Sequence, residues 1–185
     1  SEPIAARTQS YAPRALEKRA GGLSGMAGLA PLRIHVYDRF LGNDEGRTCH
    51  AEGEAFSIGG APPSGPKCTP STTEYCQATC TSPFVLTEEK RQFLIQDLIP
   101  ALVAAVRTML AVVPVQGGLM LNGGRCGFYG GVRVPQNLTH EPGVPDADFV
   151  LFLTARPIYG DTIAYAGHCQ TDQNGRPTAA HFNWS

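Results

Sequence analysis

The chain has 185 residues, 42% of them hydrophobic, which is enough for one domain with a core of its own. A formal charge of −1 gives no electrostatic footprint for nucleic acid or for an anionic membrane surface. No apolar run approaches the roughly 20 residues of a membrane span, and no signal-peptide pattern opens the sequence, which starts at Ser1 and reads as already processed.

Residues 1–30 read as a flexible tail or propeptide remnant, rich in Ser, Pro, Ala, Gly and Arg and without a period. Glu17-Lys18-Arg19 within it suits a basic processing site or a solvated linker equally well. Residues 31–185 read as one unit. Leu32-Arg33-Ile34-His35-Val36-Tyr37 alternates at strand period, so a first strand is expected with Leu32, Ile34 and Val36 facing the core. Residues 41–82 carry turn residues and four of the six cysteines. A loop of that length needs fixing, and a disulfide closing about thirty residues contributes roughly 3–4 kcal/mol in the chain-entropy model.

One helix follows. Thr87 suits the N-cap, and Glu88 and Glu89 suit the positive end of the helix dipole. Phe93, Leu94, Leu98, Ala101, Leu102, Ala105, Val106, Met109 and Leu110 recur at three-four spacing, so one face is expected to be buried, with a kink at Pro100. Residues 115–130 are Gly-rich. Gly123-Gly124 and Gly130-Gly131 are not followed by a helix with Lys-Ser/Thr, so they do not make a phosphate-binding loop. Residues 148–154 form a continuous apolar run, as in a strand buried on both faces.

Ile163, Tyr165, Gly167 and Cys169 then alternate with Ala164, Ala166 and His168, and Asn174-Gly175 marks a tight hairpin. The returning strand, 178–184, has Ala180, Phe182 and Trp184 on one face and Ala179, His181 and Asn183 on the other. In order, the elements are strand, stapled loop, helix, Gly-rich segment, buried strand and hairpin. They imply an α+β or α/β sandwich: a small twisted mixed sheet of about five strands, a backing helix and long disulfide-stapled loops.

The residues carry no complete catalytic constellation. No two of His35, His50, His140, His168 and His181 lie three or four apart, so there is no helical metal pair. His35 and His181 read as polar strand residues, while His168, beside Cys169, could line a cleft. No Gly-x-Ser-x-Gly is present. Six cysteines favour three disulfides and a secretory setting over a catalytic thiol. Cys68, Cys76 and Cys80 are not spaced as a zinc site. Asn137-Leu138-Thr139 is an N-glycosylation sequon in a loop, and Asn183-Trp184-Ser185 is a second, less suited one at a strand end.

Several segments taken together resemble the leishmanolysin-type (M8) zinc metallopeptidases. They are Leu86-Thr87-Glu88-Glu89-Lys90-Arg91 running into Leu98-Ile99-Pro100, then Cys126, Val134-Pro135-Gln136, Asp148-Phe149-Val150, and Ile163-Ala164-Tyr165-Ala166 leading to Cys169. Asp172 to Gly175 and Arg176-Pro177 then lead into the last strand, so the likeness runs from about Leu32 to Trp184. The resemblance implies a zincin-like N-terminal subdomain at 31–185, ending before the helix with the His-Glu-x-x-His motif. The Zn²⁺ ligands and the general base would then lie outside the chain, in a C-terminal remainder of the same protease or in a separate chain.

It also implies that Ile163, Ala164, Tyr165, Ala166 and Gly167 form the edge strand bordering the cleft, where an extended peptide substrate adds by backbone pairing. The small residues there suit that approach, or a strand lying under a covering loop. The implied disulfides are Cys49–Cys80 and Cys126–Cys169, with Cys68–Cys76 as an additional bridge that departs from the family pattern. The family's inhibitory propeptide cysteine has no counterpart, since no Cys precedes Cys49. The leading expectation is the N-terminal part of a secreted or cell-surface zinc metalloendopeptidase, joined to a membrane only through an anchor outside the chain. A non-catalytic extracellular adhesion or structural module on the same fold is the alternative. A disulfide-rich binder ranks third, because the helix and buried strand build a core without staples.

Overall fold

The computed structural model describes residues 28–42, 44, 46–57, 77–127, 131–158 and 162–185. Among them the elements are β1 (Ala30–Pro31), β2 (Ile34–Tyr37), β3 (Ala55–Ser57), β4 (Gln77–Thr79), α1 (Glu88–Gln92), a π-helical segment Phe93–Leu98, and α2 (Ile99–Met109). After them come β5 (Ala111–Val112), β6 (Arg125–Cys126), β7 (Val132–Arg133), β8 (Phe149–Ala155), β9 (Ala164–Thr171) and β10 (Pro177–Trp184). The Glu17-Lys18-Arg19 site and the Cys68–Cys76 bridge lie outside the described residues.

The apolar run after Asp148 becomes β8, the second strand of a sheet ordered β2-β8-β10-β9. β8 runs parallel to both neighbours, with Val36 and Ala180 opposite Leu151, while β9 is antiparallel to β10. The fold is mixed α and β, with a main sheet of four strands rather than about five. The other six strands pair as the two-stranded ribbons β1–β5, β3–β4 and β6–β7.

Both faces of the sheet are covered. On one, Ile34, Val36, Leu151, Leu153, Phe182 and Trp184 pack against Leu94, Ile95, Leu98, Ile99 and Val103 of the helix. On the other, Val150, Phe152, Ala179 and Tyr37 lie beneath a layer built from irregular chain, with Leu119, Leu121, Val132, Val134, Leu138 and Val144. Tyr37, Phe40 and Phe152 stack with centroids 5.3 to 6.2 Å apart at this face. The Gly-rich stretch therefore works as a core layer. The disulfide Cys126–Cys169 ties it to β9, and Cys49–Cys80 ties the β3–β4 ribbon to the chain preceding it.

The helix starts where expected: Thr87 Oγ1 accepts from Lys90 N at 3.3 Å. Its buried face is not the expected stripe. Leu94 is buried and Leu98, Ala105 and Val106 are half-buried, but Phe93, Ala101, Leu102, Met109 and Leu110 are exposed. The cause is the π segment, where Ile99 N bonds Leu94 O, five residues back. The extra residue in that turn shifts the phase of everything after it, so burial passes to Ile99 and Val103. Pro100, which has no amide to donate, sits in the first turn of α2 directly behind this segment. By length and composition alone the helical stretch Ser82–Met109 is also long and apolar enough to cross a membrane, although charged and polar residues interrupt its apolar positions.

The start of β8 is held by a charge. Asp148 is fully buried, and its carboxylate accepts from Arg33 Nε at 2.9 Å, Arg33 Nη2 at 2.8 Å, Arg33 N at 3.1 Å and Val115 N at 2.6 Å. Burial alone would raise its pKa, but the Arg33 side chain and the two amides outweigh burial and hold it at about 2. This pairing fixes β2, β8 and the loop layer to one another. Arg33→Gln, which leaves the buried carboxylate without its charged partner, should cost about 3 kcal/mol in urea unfolding at pH 7. Because the native pKa is depressed, the contribution of Asp148 is complete above about pH 4 and is lost as the pH falls towards 2.

Candidate functional site

β9 is the outermost strand of the main sheet, on the side away from β2. Its pairing phase follows from one bond. Ser185 N donates to Ile163 O at 2.8 Å, and the register continues as Trp184 opposite Ala164, Asn183 opposite Tyr165, Phe182 opposite Ala166 and His181 opposite Gly167. Antiparallel pairs alternate between bonded and non-bonded. Ile163, Tyr165 and Gly167 therefore bond inward to Ser185 and β10. Ala164, Ala166 and His168 turn their amides and carbonyls outward. Ala166 and His168 are exposed, Ala164, Tyr165 and Gly167 are half-buried, and Ile163 lies just before the strand at 68% exposure.

The turn joining β9 to β10 differs in detail from the expected two-residue hairpin. Asp172 N donates to Arg176 O, Gly175 N to Asp172 O, and Asp172 Oδ1 accepts from the amides of Asn174 and Arg176. Of Asn174 and Gly175, only Gly175 takes a positive φ, 78°. The result is a wider turn with glycine at the left-handed position.

Behind β9 lies a buried polar network that the sequence did not reveal. His181 and Asn183, expected on a polar strand face, are both 0% exposed, because the loop layer covers that face as well. Asn183 Oδ1 accepts from Arg156 N at 2.9 Å and Thr154 Oγ1 at 2.7 Å, while Asn183 Nδ2 donates to Arg156 O at 3.0 Å. The Thr154 proton is used in that bond. The 2.7 Å contact between Thr154 Oγ1 and His181 Nε2 therefore has the ring donating, and Nδ1 is the unprotonated nitrogen. Burial first, then the charges of Arg156 and Arg47, push the His181 pKa down to about 3.

The ring of Tyr165 stands edge-on to His181 at 5.6 Å, and a Cβ on Gly127, at φ 104°, would collide with the His181 ring. Arg156, 1% exposed, forms a two-pronged bond with Asp44 and donates to Gly131 O at 2.9 Å. A Thr, a His, an Asn and an Arg after an apolar strand gave no period by which to predict this set. Asn183 also cannot act as a glycan acceptor in this fold, since its side chain is fully buried and its Nδ2 is bonded to Arg156 O. Asn137, by contrast, is exposed in the 3-10 turn Gln136–Leu138.

Among the described residues no group of three or more His, Cys, Asp or Glu stands close enough to hold a metal ion, so they do not fit a zinc site. What the region offers chemically is a strand edge whose outward backbone groups have no backbone partner among the described residues, backed by a neutral histidine. The native His181 ring stays neutral while the unfolded ring gains a proton below about pH 6.5. Stability is thus full above that pH and is lost as the pH falls towards 3. His181→Gln should flatten the urea midpoint between pH 6.5 and 4; an unchanged pH slope in the variant would count against this account.

Comparison with known proteins points to one family. The family model described as leishmanolysin, peptidase M8, matches residues 6–185. Leishmanolysin of Leishmania major is 35% identical over 108 residues, covering 57% of this chain and 17% of that protein. Leishmanolysin of Leishmania donovani is 32% identical over 113 residues, 61% of this chain and 19% of that protein. A leishmanolysin homolog of Crithidia fasciculata is 30% identical over 105 residues, 57% of this chain and 16% of that protein. The matched part is thus less than a fifth of each of these curated relatives. With a match over nearly its whole length, the chain belongs to the leishmanolysin (M8) family of metallopeptidases.

Proposed function

We propose that this chain is the N-terminal part of a secreted or cell-surface zinc metalloendopeptidase and supplies its substrate-binding edge strand. The observation that carries this reading is the phase of β9 in a chain of this family: Ala164, Ala166 and His168 present their backbone groups away from β10, on the open side of the sheet. A peptide laid along them gains main-chain hydrogen bonds without needing a particular sequence. Small side chains at Ala164, Ala166 and Gly167 let the second backbone come close. Ile163 and Ser185 lie at the same end of the β9–β10 hairpin. We place the His-Glu-x-x-His helix, and with it the zinc, beyond that end and outside residues 1–185. Zinc bound there would polarise the scissile carbonyl and supply an activated water. The part of this chain is to hold the peptide extended beside it.

The secretory setting is supported by Cys49–Cys80 and Cys126–Cys169, since paired cysteines persist in oxidising compartments. We assign a glycan to Asn137 on the strength of its sequon and exposure.

Two measurements test the reading. In amide exchange, Ala164, Ala166 and His168 should exchange fast and Tyr165 and Gly167 slowly, and a strand-forming Thr-Val octapeptide should slow the first three selectively. If the peptide slows none of them, strand addition at β9 is wrong. Intact mass and metal analysis of the protein from its source should find residues 1–185 joined to, or held with, a zinc-containing remainder bearing His-Glu-x-x-His, with a glycosidase-sensitive mass at Asn137. A lone 19.7 kDa species without zinc would overturn the peptidase reading. A remainder in which the motif's His or Glu is replaced would point to the non-catalytic module.

A further inference from the structure

Given the reading of β9 as a substrate edge, on which this rests, we propose that the edge stops at His168: the chain pairs with an extended peptide over Ala164–His168 and no further along the strand. Two bonds at opposite ends of β9 require a stop. Ser185 N donates to Ile163 O, which turns the odd-numbered residues inward at that end. Asp172 N donates to Arg176 O at 2.8 Å, which turns the even-numbered residues inward at the hairpin turn. Inward and outward residues alternate along a regular antiparallel strand. Positions 163 and 172 are of opposite parity, so the alternation slips once between them.

The slip lies at Cys169 and Gln170. Ala180 is opposite His168 and the adjacent Ala179 is opposite Gln170, so Cys169 is left over on β9. Pro177 is opposite Thr171, so Thr178 is left over on β10. One surplus residue on each strand keeps the register of the hairpin but reverses which residues bond inward. The side chains agree. Successive residues of a strand point to opposite faces, yet Cys169 and Gln170 both reach the loop layer. Cys169 does so through its disulfide to Cys126. Gln170 does so through Oε1, which accepts from Asn122 N at 2.8 Å, and Nε2, which donates to Asn122 O at 2.8 Å. These two links hold the slip in place. Before it the outward residues are Ala164, Ala166 and His168, each with one N–H and one C=O. After it Gln170 and Asp172 turn inward and Thr171 turns out. Outward residues thus stand two apart up to His168 and three apart beyond it. A straight peptide backbone repeats every two residues, so it matches the first spacing and not the second. The segment taken is one extended over about five residues that bends away past His168, as a loop or a chain end can, and not a long strand.

Residue-resolved amide exchange of the ¹⁵N-labelled chain is the test. Without peptide, Gln170 and Asp172 should exchange slowly and Thr171 fast; a fast Gln170 amide would mean an unbroken edge and overturn the proposal. A Thr-Val pentapeptide and a Thr-Val dodecapeptide are then added, each at about ten times its Kd, which should slow Ala164, Ala166 and His168 about tenfold. Thr171 should keep its rate with both peptides. If the dodecapeptide slows Thr171 together with the other three, the edge accepts strands but does not stop at His168, and this inference alone fails. If neither peptide slows Ala164, Ala166 or His168, the edge-strand reading fails and takes this inference with it.

Discussion

Strand β8 is held by charges at both ends, and the rest of the molecule is placed by them. From Phe149 to Leu153 the strand is wholly apolar, which drives it to the centre but supplies no mark of register. Asp148 at its entry takes four hydrogen bonds from Arg33 and Val115. Arg156 at its exit is locked to Asp44 and to the carbonyl of Gly131. Sliding β8 by one residue would break both sets and leave buried charges unpaired, a far larger cost than any gain from repacking the apolar side chains. The same two clamps bring the loop layer, which contributes Val115 and Gly131, against the second face of the sheet.

The edge strand depends on this arrangement. In the sheet β9 pairs with β10, and β10 is registered on β8 by Asn183, which bonds the main chain of Arg156 in both directions. Thr154 and His181 extend that contact beneath Tyr165. The network backs β9 while its outer backbone has no backbone partner among the described residues, and Cys126–Cys169 pins its far end to the loop layer. A strand edge with such support loses less entropy on pairing with another backbone.

Much of this fold was legible in the residues. The apolar run at β8, the Thr87 cap and the β9–β10 hairpin each obey a local rule of period, capping or turn chemistry, and each appears within a residue or two of the expected place. The helix shows where local rules fail. The three-four stripe assumes 3.6 residues per turn, and the π segment ahead of Pro100 adds a residue that no count of apolar positions can include. His181 shows the other kind of failure. Strand alternation placed it opposite the apolar residues, correctly, but whether that face meets water depends on a layer that comes from another part of the chain.

By itself the sequence determined the types and order of the helix, β2, β8 and the β9–β10 hairpin and, through the resemblance of several spaced segments, the family. These are properties of neighbours in the chain or of linear order. Only the tertiary structure decided which backbone groups of β9 face outward, and that His181, Asn183, Asp44 and Arg156 are interior. Those outcomes depend on pairs such as Arg156 with Asp44, 112 residues apart. Local periodicity carries no information on contacts at that separation, because they exist only once the sheet has closed between its two layers.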